Sequence, residues 1–208
     1  MKARGNAQFV EFLEEVAARG GAVNLVFEER LFNLVGILQK IADPLAAAHI
    51  PYEVIGGLAV LIHVEAADPA QSVLTRDVDI LIQRADLDRV ITVAESQGFR
   101  FRHVAGVDML LFGKKALNSV HLIFAEERVK ANQLLPNPTI APERKLIKGR
   151  QISVIPVRDL VQMKLSAGRD KDRVHIRSLD AAGLITARIE HDLPPALRAR
   201  LQQIRQTE

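Results

Sequence analysis

The apolar positions of this chain recur first with the period of a helix and then with that of a strand. Ala7 to Arg19 reads as an amphipathic helix ended by Gly20-Gly21. A second helix is predicted from Glu28 to Ala48, with Leu31, Leu34, Ile37, Leu38 and Ile41 on one face. Then the period shortens. Tyr52–Ile55 reads as a short buried strand, Gly57–Val64 as an apolar helix, Asp77–Ile82 as an alternating strand and Asp86–Gln97 as a helix with Gly98 at its C-cap. Phe99–Val104 and Val107–Phe112 predict a hairpin around Ala105-Gly106, followed by strand Val120–Phe124. Leu135-Pro136-Asn137-Pro138 marks a loop, and Lys145–Lys148 with Gln151–Ile155 a second hairpin across Gly149-Arg150. Beyond Pro156 the pattern is helical: Val157–Ala167, Lys171–Gly183 and Pro195–Gln206. The expected architecture is α/β (α+β): a mixed sheet of about five strands flanked by helices, with a helical C-terminal part. Three regions follow: N-terminal helices (1–50), a core (51–155) and C-terminal helices (156–208).

Composition narrows the chemistry. With 208 residues, 48% of them hydrophobic, the chain can bury a substantial core. It has no cysteine, which excludes disulfides, thiolate zinc sites and a cysteine nucleophile and fits a reducing cytoplasm. Met1-Lys2-Ala3-Arg4-Gly5 leads into the glutamate-interrupted Phe9–Leu13, so no signal peptide is expected. No apolar run approaches the roughly eighteen residues of a membrane span, so no membrane partner is expected. The net charge of +3 and pI near 9.4 permit a nucleotide or nucleic-acid partner without providing a basic arm.

Two segments carry candidate chemistry. In Val54-Ile55-Gly56-Gly57-Leu58-Ala59 a glycine pair stands where a strand turns into a helix. There a phosphate can approach backbone N–H groups at the positive end of the helix dipole. In Thr75-Arg76-Asp77-Val78-Asp79-Ile80, strand alternation puts Asp77 and Asp79 on one face, about 6–7 Å apart. Such a carboxylate pair suits a hard divalent cation, Mg²⁺ or Mn²⁺, that shares its shell with substrate phosphates. Arg76 either steers phosphate or pairs with a nearby carboxylate. Thr75 either orients an aspartate or simply begins the strand.

Ile55-Gly56-Gly57 followed by Asp77-Val78-Asp79-Ile80 resembles the signature of the DNA polymerase β-like nucleotidyltransferase superfamily. Twenty positions separate Gly57 from Asp77, a longer spacer than is usual there, and the turn-rich Ala66–Ser72 accounts for the excess. Thr75-Arg76-Asp77 and the stretch Met163–Asp172 are similar to the bacterial abortive-infection and toxin–antitoxin branch. The resemblance implies a nucleoside triphosphate bound at Gly56 and Gly57, ATP first, and a metal on Asp77 and Asp79. It implies transfer of a nucleoside monophosphate to a hydroxyl acceptor, whether protein side chain, tRNA end or small molecule. It also opens an alternative: a non-catalytic nucleotide-binding or toxin-like module held by an antitoxin. A third alternative is an RNA-binding regulator using the basic C-terminal helices.

The same resemblance calls for a third carboxylate on an adjacent strand, where this chain has His121 in Ser119–Phe124. His121 is either the general base or a half-buried strand residue; Asp108, Glu126 and Glu127 are the alternative acids. It further implies that a cation from the C-terminal cluster reaches the triphosphate. Lys164 is the first candidate and Lys171 the second, with Asp172 a helix N-terminal acid or the partner that orients the lysine. His175 and Arg177 continue that segment. The competing reading of the cluster is an ordinary solvated helix end with intrahelical ion pairs.

Overall fold

The computed structural model describes residues 33–73, 75–113, 119–147 and 150–207. The expected helix Ala7–Arg19, the start of the helix expected over Glu28–Ala48 (28–32, with Leu31) and the hairpin turn at 148–149 lie outside them. Helix α1 spans residues 33–47 and turns its Leu34, Ile37, Leu38, Ile41 and Leu45 into the core. Strand β1 (Tyr52–Ile55) is buried at all four positions and passes directly into α2 (Gly56–Ala67). Asp68 ends that helix by accepting a hydrogen bond from Ala70 N, which starts a 3-10 turn over Pro69–Gln71. β2 (Val78–Ile82), α3 (Leu87–Ser96), β3 (Phe99–Val104), β4 (Val107–Phe112), β5 (Ser119–Phe124), β6 (Glu143–Ile147) and β7 (Arg150–Val154) follow. The chain ends in α4 (Val157–Ala167), α5 (Asp170–Ala181), α6 (Ala187–Asp192) and α7 (Pro195–Gln206). No helix among the described residues is long and apolar enough to cross a membrane.

Among the described residues the sheet has seven strands, in the order β3-β4-β5-β2-β1-β7-β6, where about five were expected. Each hairpin extends one edge: β4 pairs antiparallel with β5, and β7 pairs parallel with β1. A hairpin's own pattern does not say which distant strand it will join. β2 lies between β1, antiparallel, and β5, parallel, with Ile55 opposite Asp79 and Asp79 opposite His121. This mixture of directions, with helices on both sides, is an α/β architecture.

The two faces of the sheet are not covered equally. Val78, Ile80 and Ile82 of β2 share a face with Val120, Leu122 and Phe124 of β5, and all six are buried. On the other face, His121 and Ile123 of β5 and Met109 of β4 are only half-buried. That open strip of sheet borders Asp79.

One buried group on β1 lacks full compensation. Glu53, fully buried on β1, accepts a hydrogen bond from Ala141 N (2.5 Å) through Oε1, while Oε2 has no partner among the described residues. Burial, aided by the nearby Asp159 carboxylate, pushes its pKa from 4.5 up to about 7. The folded chain therefore binds the proton more tightly than the unfolded chain. The stability this contributes is complete below about pH 4.5 and is lost as pH rises through about 7. Glu53→Gln, which keeps the acceptor for Ala141, is expected to flatten the fall in unfolding free energy between pH 5 and 8 and to stabilise the protein at pH 8 by about 2 kcal/mol. Chemical unfolding across that range checks it; identical pH profiles would show that Glu53 is not the titrating group.

Candidate active site

The site is built where β1 ends and β2 begins. Gly56 has φ +70°, a left-handed conformation that favours glycine, and a β-carbon there would run into the Asp79 carboxylate. A β-carbon on Gly57 would stand 2.5 Å from Thr75 Oγ1 and 2.8 Å from Thr75 Cβ. The glycine pair thus does more than leave room for a phosphate. It lets Asp79 and Thr75 press into the strand-to-helix turn, so these four residues form one unit. Gly106, at φ +76° with nothing near its β-position, isolates the backbone effect. Gly56→Ala is expected to cost about 1–3 kcal/mol more than Gly106→Ala, because it displaces Asp79 in addition to straining the backbone. Equal losses in thermal unfolding would show that Asp79 yields freely.

Asp79 accepts a hydrogen bond from His121 Nδ1 at 2.9 Å, across the parallel β2–β5 pair. Asp77 lies one residue before β2 rather than within it, half-buried, and its charge also acts on His121. The hydrogen bond to Asp79 is the main reason the His121 imidazole holds its proton above the usual histidine range; burial opposes it. With Nδ1–H directed at Asp79, the lone pair belongs to Nε2. Thr75 is buried, and its hydroxyl makes a long 3.5 Å contact to the backbone carbonyl of Asp77, not to either carboxylate. Arg76 is exposed and forms no ion pair among the described residues.

Asp108, Glu126 and Glu127 are not the third carboxylate. Asp108 pairs with Leu122 in register, which places it on the face opposite His121. It is bound there by His103 Nδ1 (2.5 Å) and Arg84 Nη1 (3.5 Å). Glu126 and Glu127 follow the far end of β5, and Glu127 holds the Arg84 guanidinium with both oxygens. The register leaves His121 as the side chain beside Asp79.

On α4 and α5 the expected cluster becomes a buried network. Gly168, at φ +62°, ends α4 and sets the corner before α5. Asp172, buried, accepts from Lys164 Nζ (3.1 Å), from Arg169 Nε (2.7 Å) and Nη2 (3.1 Å), and from Arg169 N (3.2 Å). It is therefore both the N-terminal acid of α5 and the partner of Lys164. Lys164 is 4% exposed, and burial lowers its pKa. The charges of Lys164 and Arg169 both reach Asp79. Lys171 is exposed, with its charge felt at His121. Arg169 is the cation that sequence pattern alone did not single out. Its position three residues before Asp172, at the start of α5, is the available sequence signal.

Asp77 and Asp79 offer hard oxygen donors, and His121 Nδ1 is already committed to Asp79. Among the described residues no three histidine, aspartate or glutamate side chains gather as a metal cluster. This donor set suits a cation that arrives with a nucleotide and completes its shell with phosphate oxygens, not one caged by protein alone.

No protein-family model matches this chain, and no curated protein matches it. Solved structures do. The solution structure of the antibiotic-resistance factor ANT(2'')-Ia aligns with TM-score 0.55 and 16% identity, over 83% of this chain and 93% of that one. The crystal structure of ANT(2'')-Ia in complex with adenylyl-2''-tobramycin gives 0.54 and 16%, over 81% and 97%. An antigenic nucleotidyltransferase-like protein from Paracoccidioides brasiliensis gives 0.56 and 15%, over 85% and 88%. The chain shares its fold with these structures.

Proposed function

We propose that this protein is a metal-dependent nucleotidyltransferase that moves a nucleoside monophosphate from a nucleoside triphosphate, ATP first, to a hydroxyl acceptor. The observation that carries the proposal is Asp79. It is seated in the Gly56-Gly57 turn, hydrogen-bonded to His121, and within the field of Lys164 and Arg169. Asp77 and Asp79 would hold Mg²⁺ or Mn²⁺ together with the nucleotide. Bound there, the metal supplies charge neutralisation at the phosphoryl group. The N-terminus of α2 receives phosphate oxygens on its unpaired N–H groups. His121 Nε2 takes the proton of the acceptor hydroxyl as its oxygen bonds to the α-phosphorus. The bond from that phosphorus to the bridging oxygen breaks, and Lys164, Arg169 and Lys171 offset charge on the departing pyrophosphate. The complex of the ANT(2'')-Ia fold with adenylyl-2''-tobramycin supports a small-molecule hydroxyl as acceptor over a protein or a tRNA end.

Isothermal titration tests the metal site. Mg²⁺ is expected to strengthen nucleotide binding, and Asp77→Asn with Asp79→Asn to remove that strengthening while the chain stays folded, because losing two like charges relieves repulsion. An unchanged metal-dependent affinity in the double variant would rule the site out. Histidine in place of a third carboxylate is the one feature favouring a second reading, a non-catalytic nucleotide-binding module.

A further inference from the structure

His175 on α5 is buried, 7% exposed, and its Nδ1 is sealed off with no hydrogen-bond partner among the described residues. Its Cε1 lies 3.4 Å from where a β-carbon on Gly57 would stand, so the ring rests against the first turn of α2. The charged groups acting on it are Lys164 from α4 and Arg169, Lys171 and Asp172 around the start of α5, three cations against one carboxylate. Burial first, then those cations, pushes the imidazole down to about 4, which leaves it neutral at pH 7.

A neutral imidazole carries one N–H, and its placement follows from the burial. A sealed N–H without an acceptor costs more than a sealed lone pair, and orphaned buried donors are the rarer of the two in folded proteins. The proton therefore belongs on Nε2, because Nδ1 is the sealed nitrogen; both nitrogens flank the Cε1 that faces Gly57. This puts a neutral donor beside the N-terminus of a twelve-residue helix, whose first N–H groups have no intrahelical partners. Helix N–H groups, three cations and an imidazole N–H make a surround of donors and positive charge, with Asp172 already committed to Lys164 and Arg169.

We propose that His175 is a phosphoryl-contacting residue: its Nε2–H donates a hydrogen bond to a phosphoryl oxygen of the nucleotide seated at the N-terminus of α2. This rests on the nucleotidyltransferase reading above. It adds to that reading a neutral, directional ligand contact from α5, where Lys164 and Arg169 provide charge.

The test is titration of inorganic pyrophosphate and of Mg²⁺–ATP into wild type, His175→Ala and His175→Asn. His175→Ala is expected to bind both about 10-fold more weakly, and His175→Asn, which retains a neutral N–H donor, to recover most of the loss. Nitrogen-15 NMR of the wild-type histidines provides a reading independent of any substitution. His175 is expected as the neutral Nε2–H tautomer at pH 7, with its Nε2 signal moving on addition of pyrophosphate. Equal binding by wild type and His175→Ala would overturn the contact and leave the nucleotidyltransferase reading standing, as would a His175 signal that ignores pyrophosphate. His175→Asn no better than His175→Ala would mark a packing role and overturn it too. Wild type that binds neither pyrophosphate nor Mg²⁺–ATP would overturn both.

Discussion

Replacing Asp172 with alanine is expected to lower the unfolding free energy by about 3–5 kcal/mol, the effect of stranding a buried charge without its partner. For a chain of this size that corresponds to a fall of roughly 10 °C or more in Tm. Asp172 is 1% exposed and Lys164 4% exposed, so neither can turn to water when the other is removed. Arg169 is half in solvent and loses less, though its side chain and backbone N–H both lose an acceptor. Burial works against the Asp172 charge, but the Arg169 hydrogen bonds and the Lys164 and Arg169 charges outweigh it and hold the carboxyl below its usual range. The folded value lies below the unfolded one, so this stabilisation is present at neutral pH. It is lost as pH falls through the folded value. Adding Lys164→Met to Asp172→Ala is expected to restore a large part of the loss, since the pair is then replaced by apolar volume. Thermal and urea unfolding of both variants check this. A single variant within about 1 kcal/mol of wild type would mean that Lys164 finds another partner.

His121→Ala is expected to reduce turnover by about 10²–10⁴-fold while leaving nucleotide affinity nearly intact. Asp79 Oδ1 fixes Nδ1–H at 2.9 Å, which leaves Nε2 as the proton acceptor and sets the ring's orientation. The groups proposed to face phosphate lie at α2, α4 and α5, and the imidazole on β5, so removing it is expected to spare the proposed nucleotide contacts. His121→Asp, which supplies the carboxylate the superfamily signature calls for, is expected to keep metal-dependent turnover. Steady-state kinetics separating kcat from KM decides the matter. A His121→Ala enzyme with wild-type kcat would make this histidine a strand residue without a chemical role.

Much of this arrangement is legible in local pattern. Local apolar pattern gives β1, β3 and β4 with the bounds expected, and Pro156, Gly168 and Pro195 delimit α4, the corner after it and α7. Gly56-Gly57 and Asp77–Asp79 point to the site before any contact is known. What escapes the sequence is set by distant partners. Asp77 falls outside β2 because pairing begins at Val78, opposite Val120. Asp108 reads as an acid on a neighbouring strand, yet a one-residue difference in register sends it to the other face. The six-residue α6, capped by Thr186, is too short to show a helical period. The Lys164–Asp172 contact spans the break at Gly168, so no single helix pattern announces it. The tight fit of Asp79 against Gly56 joins residues far apart in sequence, and only the folded turn shows why the glycine is needed.

Transfer of a nucleoside monophosphate at the Asp79 site would release pyrophosphate. Pyrophosphate release measures it most directly, with each of the four nucleoside triphosphates, Mg²⁺, and protein, tRNA and hydroxylated small-molecule acceptors supplied in turn. Wild type is expected to release pyrophosphate with at least one triphosphate, ATP first. Asp79→Asn, still able to accept the His121 hydrogen bond, is expected to remain folded and release none. Wild type that binds nucleotide but releases no pyrophosphate under any of these conditions, or an Asp79→Asn variant that matches wild type, would contradict the account.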